Sequence, residues 1–272
     1  MASQELVTYT RDGYLGFITL NRPDKRNALN PAVWSAIDQA LDKVEKDTEV
    51  RVVLLRGEGK SFCAGLDLSP DNELFAMVGG GCNASQKDRF YREVLKAQAV
   101  HTRLERLNRP TIAVIQNHCL GAGLELALCC DIRLCSQETV FALPEAKLGF
   151  ITDVGGIQRL NRAVGRVHAR EISFRAHRFK AVYAEKISMV NAVYTDPETL
   201  TAKALEMANE IASNPPLAVQ GAKEVFLFDD ENGLDASLEY NAARSAMVVP
   251  SEDMTEAIAA YLEKRPGKFK GA

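Results

Sequence analysis

Pro110-Thr111-Ile112-Ala113-Val114-Ile115-Gln116 leads through His118-Cys119-Leu120-Gly121-Ala122-Gly123 into Leu124-Glu125-Leu126-Ala127-Leu128-Cys129-Cys130. The first segment is a short apolar run of strand type, the second a small-residue turn, the third a helix. A strand that turns directly into a helix is a building unit of α/β folds. Upstream, Arg51–Arg56 encloses Val-Val-Leu-Leu, a second buried strand, before the loop-like Gly57–Pro70. Glu5–Thr10 and Gly16–Asn21 alternate around Asp12-Gly13, which reads as a hairpin. Asn30-Pro31 is a helix start, and Val33, Ile37, Leu41 and Val44 form one apolar stripe behind it. Leu74–Ala84, with Gly79-Gly80-Gly81, reads as a flexible insertion, and Lys87–Leu107 as a long helix. Ile132–Cys135 and Thr139–Leu143 read as short strands. From Gly155 onward the pattern is mostly helical, with breaks at Gly165, Pro197, Pro215-Pro216, Gly233 and Pro250. The order predicts an α/β core followed by a helical C-terminal part.

Composition narrows the classes of function. The 272 residues are 46% hydrophobic and 25% charged, enough apolar content for a packed core. A net charge of −3 argues against nucleic-acid binding by broad charge attraction. No apolar run approaches the roughly 18 residues of a membrane helix. The six cysteines contain no CxxC pair, which disfavours a disulfide framework or a zinc site and fits a reducing compartment. The N-terminus lacks a secretory signal pattern and the chain does not end in Ser-Lys-Leu, so the cytoplasm is the expected compartment.

Three acids stand out. Glu125 has apolar or small neighbours on every side, where a carboxylate is costly unless paired or used. An edge position from which the side chain reaches water is the plain alternative. Glu145 follows Pro144 at a strand end, a common place for sites in α/β folds and also for ordinary solvated acids. Asp153 precedes Val154-Gly155-Gly156 and a helix, where an N-cap is the plain alternative to a functional role. The turns at Phe62–Asp67 and His118–Gly123 let backbone approach a ligand. Two unpaired N–H groups facing one oxygen would form an oxyanion hole. Other chemistries fit poorly. Leu126 stands where a third glycine of GxGxxG would be, Ser61 has no GxSxG setting, and Cys63 has no evident histidine partner.

These segments together resemble the crotonase superfamily, which contains enoyl-CoA hydratases and isomerases. Thr19–Leu29 resembles its opening strand and loop, Lys60–Leu68 its first oxyanion turn and Gly121–Leu126 its second. Phe141–Gly149 and Gly155–Leu160 follow in the expected order, and Tyr261–Phe269 is similar to the terminal helix and tail. The resemblance implies a repeated ββα spiral core over residues 1–200 and a helical oligomerisation region over 201–272. Trimers, often paired as hexamers, are the implied assembly. The Leu66 and Ala122 N–H groups would hold a thioester oxygen, and Glu125, Glu145 and Asp153 would act as acids and bases. Ala64, Gly65, Asp67 and Leu68 would line the adenine site of coenzyme A. Lys25, Arg26, Ala28 and, from a neighbouring subunit, Lys264 are further implied contacts. The expected substrate therefore includes coenzyme A, as the resemblance implies, and no separate cofactor, metal, nucleic acid or membrane partner is expected.

Two departures bear on the reaction. The second turn is Gly-Ala-Gly, where many members have three glycines. Asp153 stands where hydratases carry a small residue, and it is similar to the dienoyl-CoA isomerases, as is Cys130–Gln137. In those isomerases, however, the position of Glu125 usually holds an aspartate. Isomerisation would use Asp153 or Glu145 to remove a proton from a carbon distant from the thioester, with Glu125 or another acid returning one elsewhere. Syn-hydration would use Glu125 and Glu145 around one water. A non-catalytic acyl-CoA binder would not need all three acids. Phe75, Met77, Val78 and Tyr91 are candidates for the acyl pocket.

Overall fold

Strand β1 (Val7–Asp12) pairs antiparallel with β2 (Leu15–Leu20) across Gly13, which lies at φ +55°. The computed structural model describes residues 5–70, 72, 74 and 83–272. β2 then continues a parallel sheet with β3 (Val52–Gly57), β4 (Thr111–Ile115), β6 (Ile132–Ser136) and β9 (Ala192–Tyr194). A second layer holds β5 (His118–Leu120), β7 (Val140–Ala142) and β8 (Phe179–Lys180). Single bridges Leu29–Leu66 and Cys63–Cys119 join the loops that follow β2, β3 and β4. Each turn of chain therefore adds a strand to the main sheet and an extended segment beside it, which is the repeated ββα spiral.

The helices are α1 (Pro31–Lys46), α2 (Ala84–Glu105), α3 (Ala122–Ala127), α4 (Gly156–Arg175) and α5 (Ala181–Lys186). After these come α6 (Pro197–Ala212), α7 (Pro216–Asp229), α8 (Leu234–Val248) and α9 (Glu252–Glu263). The Asn30 side chain caps α1 by accepting from Val33 N at 3.0 Å, and Val33, Ile37, Leu41 and Val44 are all buried. α4 bends at Gly165, whose φ of 73° and ψ of 166° are not helical.

Alternation along the strands builds two cores. Val53, Leu55, Ala113 and Ile115 face α1 and α2, while Val52, Leu54, Ile112 and Val114 face α6. α6 meets the sheet through Leu200, Ala204, Ala208 and Ala212, a small-residue stripe at helical spacing that permits close approach. A domain boundary at residue 200 therefore falls inside a helix packed on the sheet. α7 is tied to the sheet by Lys223, only 6% exposed, whose Nζ donates to Asp131 Oδ2 at 2.7 Å and Arg109 O at 2.9 Å.

Two elements differ from expectation. β8 and β9 interrupt a region that reads as helical. They have only two and three residues, too few for a period-two pattern to emerge, and their partners Phe141 and Cys135 are distant in sequence. Most of the insertion expected at Leu74–Ala84, with Phe75, Met77 and Val78, lies outside the described residues.

Candidate active site

The two small-residue turns come together. After β3 the chain runs beside β5, with Cys63 N donating to His118 O at 2.9 Å and Leu120 N to Cys63 O at 3.0 Å. Gly65 sits at φ +94°, and a Cβ there would lie 2.7 Å from Leu120 O and 3.7 Å from Ala122 N. Gly121 sits at φ +50°, and a Cβ there would lie 2.5 Å from Glu145 Oε1. Both positions thus need glycine for conformation and for space. Among the described residues, neither Leu66 N nor Ala122 N donates to a protein acceptor. Ala122 is outside the left-handed region, so the alanine in the second turn carries no backbone strain.

Residues with no evident role in the sequence brace the first turn. Arg22 donates to Asp67 Oδ2 at 3.0 Å and to Ala28 O, and Asn27 Nδ2 donates to Ser61 O at 2.8 Å and Glu58 O at 3.0 Å. Burial alone would raise the Asp67 carboxyl, but hydrogen bonds from Ser69 and Arg22 hold it below the usual range.

Glu125 is buried at 2% exposure, on α3. Its Oε2 accepts from Gly156 N at 2.7 Å and Val154 N at 3.1 Å. Burial, then the Glu145 charge, pushes its pKa up to about 8 against the lowering effect of those amides. Glu145 begins a short 3-10 turn (Glu145–Leu148) after β7, and Thr152 Oγ1 donates to its Oε2 at 3.3 Å. Burial and Asp153 raise the Glu145 carboxyl, and burial raises that of Asp153. Asp153 caps no helix, because α4 starts at Gly156 with Gly155 at the N-cap position and no side-chain cap. The Asp153 carbonyl accepts from Gln98 Nε2 at 2.6 Å, which fixes the loop against α2.

All three acids line one cavity of about 120 Å³. Ala64, Gly65, Leu66 and Ala122 share its wall, which is otherwise mostly apolar: Trp34, Leu68, Leu74, Phe90, Val94, Phe150 and Ile151. Arg159 secures the turn that grips Glu125. Its guanidinium bonds Glu105 at 2.7 Å, Thr102 at 3.2 Å and the Val154 carbonyl at 3.3 Å. The other sequence candidates are placed differently. Ala28 is buried and Leu68 lines the cavity, but the Asp67 side chain is turned to Arg22. Lys25, Arg26 and Lys264 are exposed and do not line the cavity. Tyr91 is exposed, and the Cys63 thiol is pushed up to about 12 by burial, unsuited to nucleophilic use. Among the described residues no group of three or more His, Cys, Asp or Glu could hold a metal.

This geometry can polarise a carbonyl with two amides and move protons with carboxyl groups in a dry cleft. Comparison with known proteins agrees. The sequence model of the enoyl-CoA hydratase/isomerase family matches residues 11–272. The chain belongs to the enoyl-CoA hydratase/isomerase family. It is 32% identical to the mitochondrial Δ(3,5)-Δ(2,4)-dienoyl-CoA isomerase of Dictyostelium discoideum, covering 94% of this chain and 88% of that one. It is 35% identical to the short-chain-enoyl-CoA hydratase of Clostridium acetobutylicum, covering 95% of each. The crystal structure of enoyl-CoA hydratase from Bacillus anthracis superimposes with a TM-score of 0.89 at 31% identity, covering 98% of this chain and 100% of that one. The chain is thus an enzyme of the hydratase/isomerase family, and the resemblance drawn from its motifs holds. No helix among the described residues is long and apolar enough to cross a membrane.

Proposed function

We propose that this enzyme converts a 3,5-dienoyl-CoA to the conjugated 2,4-dienoyl-CoA. The observation that carries the reading is Asp153, which lines the same cavity as Glu145 and Glu125. The dienoyl-CoA isomerases among the relatives, from Dictyostelium discoideum and Mus musculus, support it. The thioester oxygen accepts from the Leu66 and Ala122 amides, each worth about 3 kcal/mol in the transition state. A proton leaves C2, the electron pair spreads along the diene to the thioester oxygen, and a proton returns to C6. Double bonds move from the 3,5 to the 2,4 positions with no net gain or loss of atoms. Glu145, whose carboxylate abuts Gly121 at the start of α3, suits the carbon next to the carbonyl. Asp153 suits the distant carbon. Glu125, with its pKa near 8, holds a proton at neutral pH and serves as the third member of the set.

Syn-hydration of a 2-enoyl-CoA is the second reading, favoured by the intact pair of Glu125 and Glu145 in one cavity. Absorbance of the conjugated thioester separates the two. Gain with a 3,5-dienoyl-CoA supports isomerisation, and loss with a 2-enoyl-CoA supports hydration. Silence with both, and no α-proton exchange in D2O, would leave a binder. The reading includes coenzyme A as part of the substrate without a further cofactor, with its phosphates near Lys25 and Arg26. It includes a homotrimer or dimer of trimers, for which exposed Leu234, Leu238, Tyr261 and Leu262 on α8 and α9 offer apolar surface, with Lys264 reaching a neighbour's site. Among the described residues, five free buried cysteines suit a reducing cytoplasm.

A further inference from the structure

The cavity has a fourth carboxylate that this chemistry does not use. Glu93 on α2 lines it between Phe90 and Val94, with its side chain only 20% exposed. Its Oε1 is 2.7 Å from Lys96 Nζ, and Lys96 is itself 72% exposed. Such an exposed partner supplies little binding and can swing into solvent. Among the described residues, Glu93 Oε2 accepts no hydrogen bond.

The position of Glu93 along α2 gives its relation to the chemistry. His101 lies toward the other end of α2, with Nδ1 bonded to Ala97 O at 2.8 Å and its ring against the Ala122 backbone. Gln98 meets the Asp153 carbonyl at 2.6 Å. Ala97 therefore marks the reacting end, and Glu93 lies one helical turn farther out, about 6 Å along the axis. An acyl chain that followed α2 outward from the oxyanion turns would pass Glu93, which lines the same cavity, with its distal carbons. An alkyl tail there would strip water from a carboxylate and return nothing, whereas a hydroxyl would donate to Oε2.

We propose that Glu93 is a specificity-determining residue that selects acyl-CoA substrates bearing a hydroxyl on the distal part of the chain over plain alkyl ones. The inference rests on the acyl-CoA reading of the cavity but not on the choice between isomerisation and hydration.

The test is calorimetric binding of unreactive saturated thioesters, octanoyl-CoA and hydroxyoctanoyl-CoAs with the hydroxyl at C5, C6, C7 or C8. The wild-type enzyme is expected to bind at least one hydroxylated thioester about tenfold tighter than octanoyl-CoA. Glu93→Leu should reverse that order, and Glu93→Gln, which keeps an acceptor oxygen, should retain part of it. A thermal melt confirms that each variant is folded. Equal hydroxyl-to-alkyl ratios in wild type and Glu93→Leu would overturn the role of Glu93 while leaving the acyl-CoA reading intact. Failure of every thioester to bind the wild type would overturn both.

Discussion

Gly156 N donates to Glu125 Oε2 at 2.7 Å, so the first turn of α4 holds the buried acid of α3 by its carboxylate. A Cβ at Gly156 would lie 2.5 Å from Glu125 Cγ and 2.9 Å from its Cδ. Contact between the two helices leaves space for glycine alone.

Gly156→Ala should therefore move the Glu125 carboxyl without touching any other acid. Displacement of a positioned group by about 1 Å costs on the order of 100-fold in rate. Overpacking should lower stability by about 1–3 kcal/mol. Steady-state kinetics with a urea titration check both. Wild-type kcat in the alanine variant would show that Glu125 placement is unimportant.

Glu125 also makes stability depend on pH. Its pKa is raised from the ordinary 4.5 to about 8 in the folded chain, chiefly by burial. The folded state keeps its proton where the unfolded state has lost it. Stability from this group is fully present below about pH 4.5 and is lost as pH rises toward about 8. Glu125→Gln, which stays neutral, should gain on the wild type from pH 5 to pH 8. Chemical denaturation at those two pH values measures it, and a difference independent of pH would refute the assignment.

Much of this arrangement was legible in the residues. Asn30-Pro31 announced α1, alternation around Gly13 announced the hairpin, and a glutamate amid Leu and Ala announced an unusual acid at position 125. Asp153 was ambiguous locally, because an aspartate before a helix is so often a cap. What distinguishes the two roles is that α4 has no side-chain cap and that Asp153 lines the cavity beside Glu145 and Glu125. The braces were hidden for a different reason. Arg22 with Asp67, and Arg159 with Glu105, join residues 45 and 54 positions apart, and no periodicity reports such pairs. Glu93 carried no signal at all, being one charge on a charged helix.

Arg159→Met tests the clamp behind the acids. It leaves Glu105, whose side chain is 19% exposed, without its buried partner and frees the Val154 carbonyl. Removing one member of a buried pair costs about 3–5 kcal/mol. Arg162, which bonds the other Glu105 oxygen at 2.9 Å, should hold the loss to the lower part of that range. The urea midpoint should fall accordingly, with kcat reduced as the 154–156 turn loosens. An unchanged midpoint would show the clamp to be unnecessary.

Asp153→Asn separates the two chemistries. It keeps shape and removes a proton-transfer group, a loss of about 100- to 10,000-fold in isomerisation. Any hydration of a 2-enoyl-CoA should be much less affected, since Glu125 and Glu145 remain. Parallel assays of the variant read the ratio, and equal losses would remove the special role of Asp153.

Convergence of the three acids on one polarised carbonyl is tested most directly by mixing the wild-type enzyme with a 3,5-dienoyl-CoA and following the absorbance of the conjugated 2,4-dienoyl thioester. A rapid rise that disappears in the Asp153→Asn variant is the expected result. No rise with the 3,5-dienoyl-CoA, alongside rapid loss of absorbance with a 2-enoyl-CoA, would contradict it and make the enzyme a hydratase.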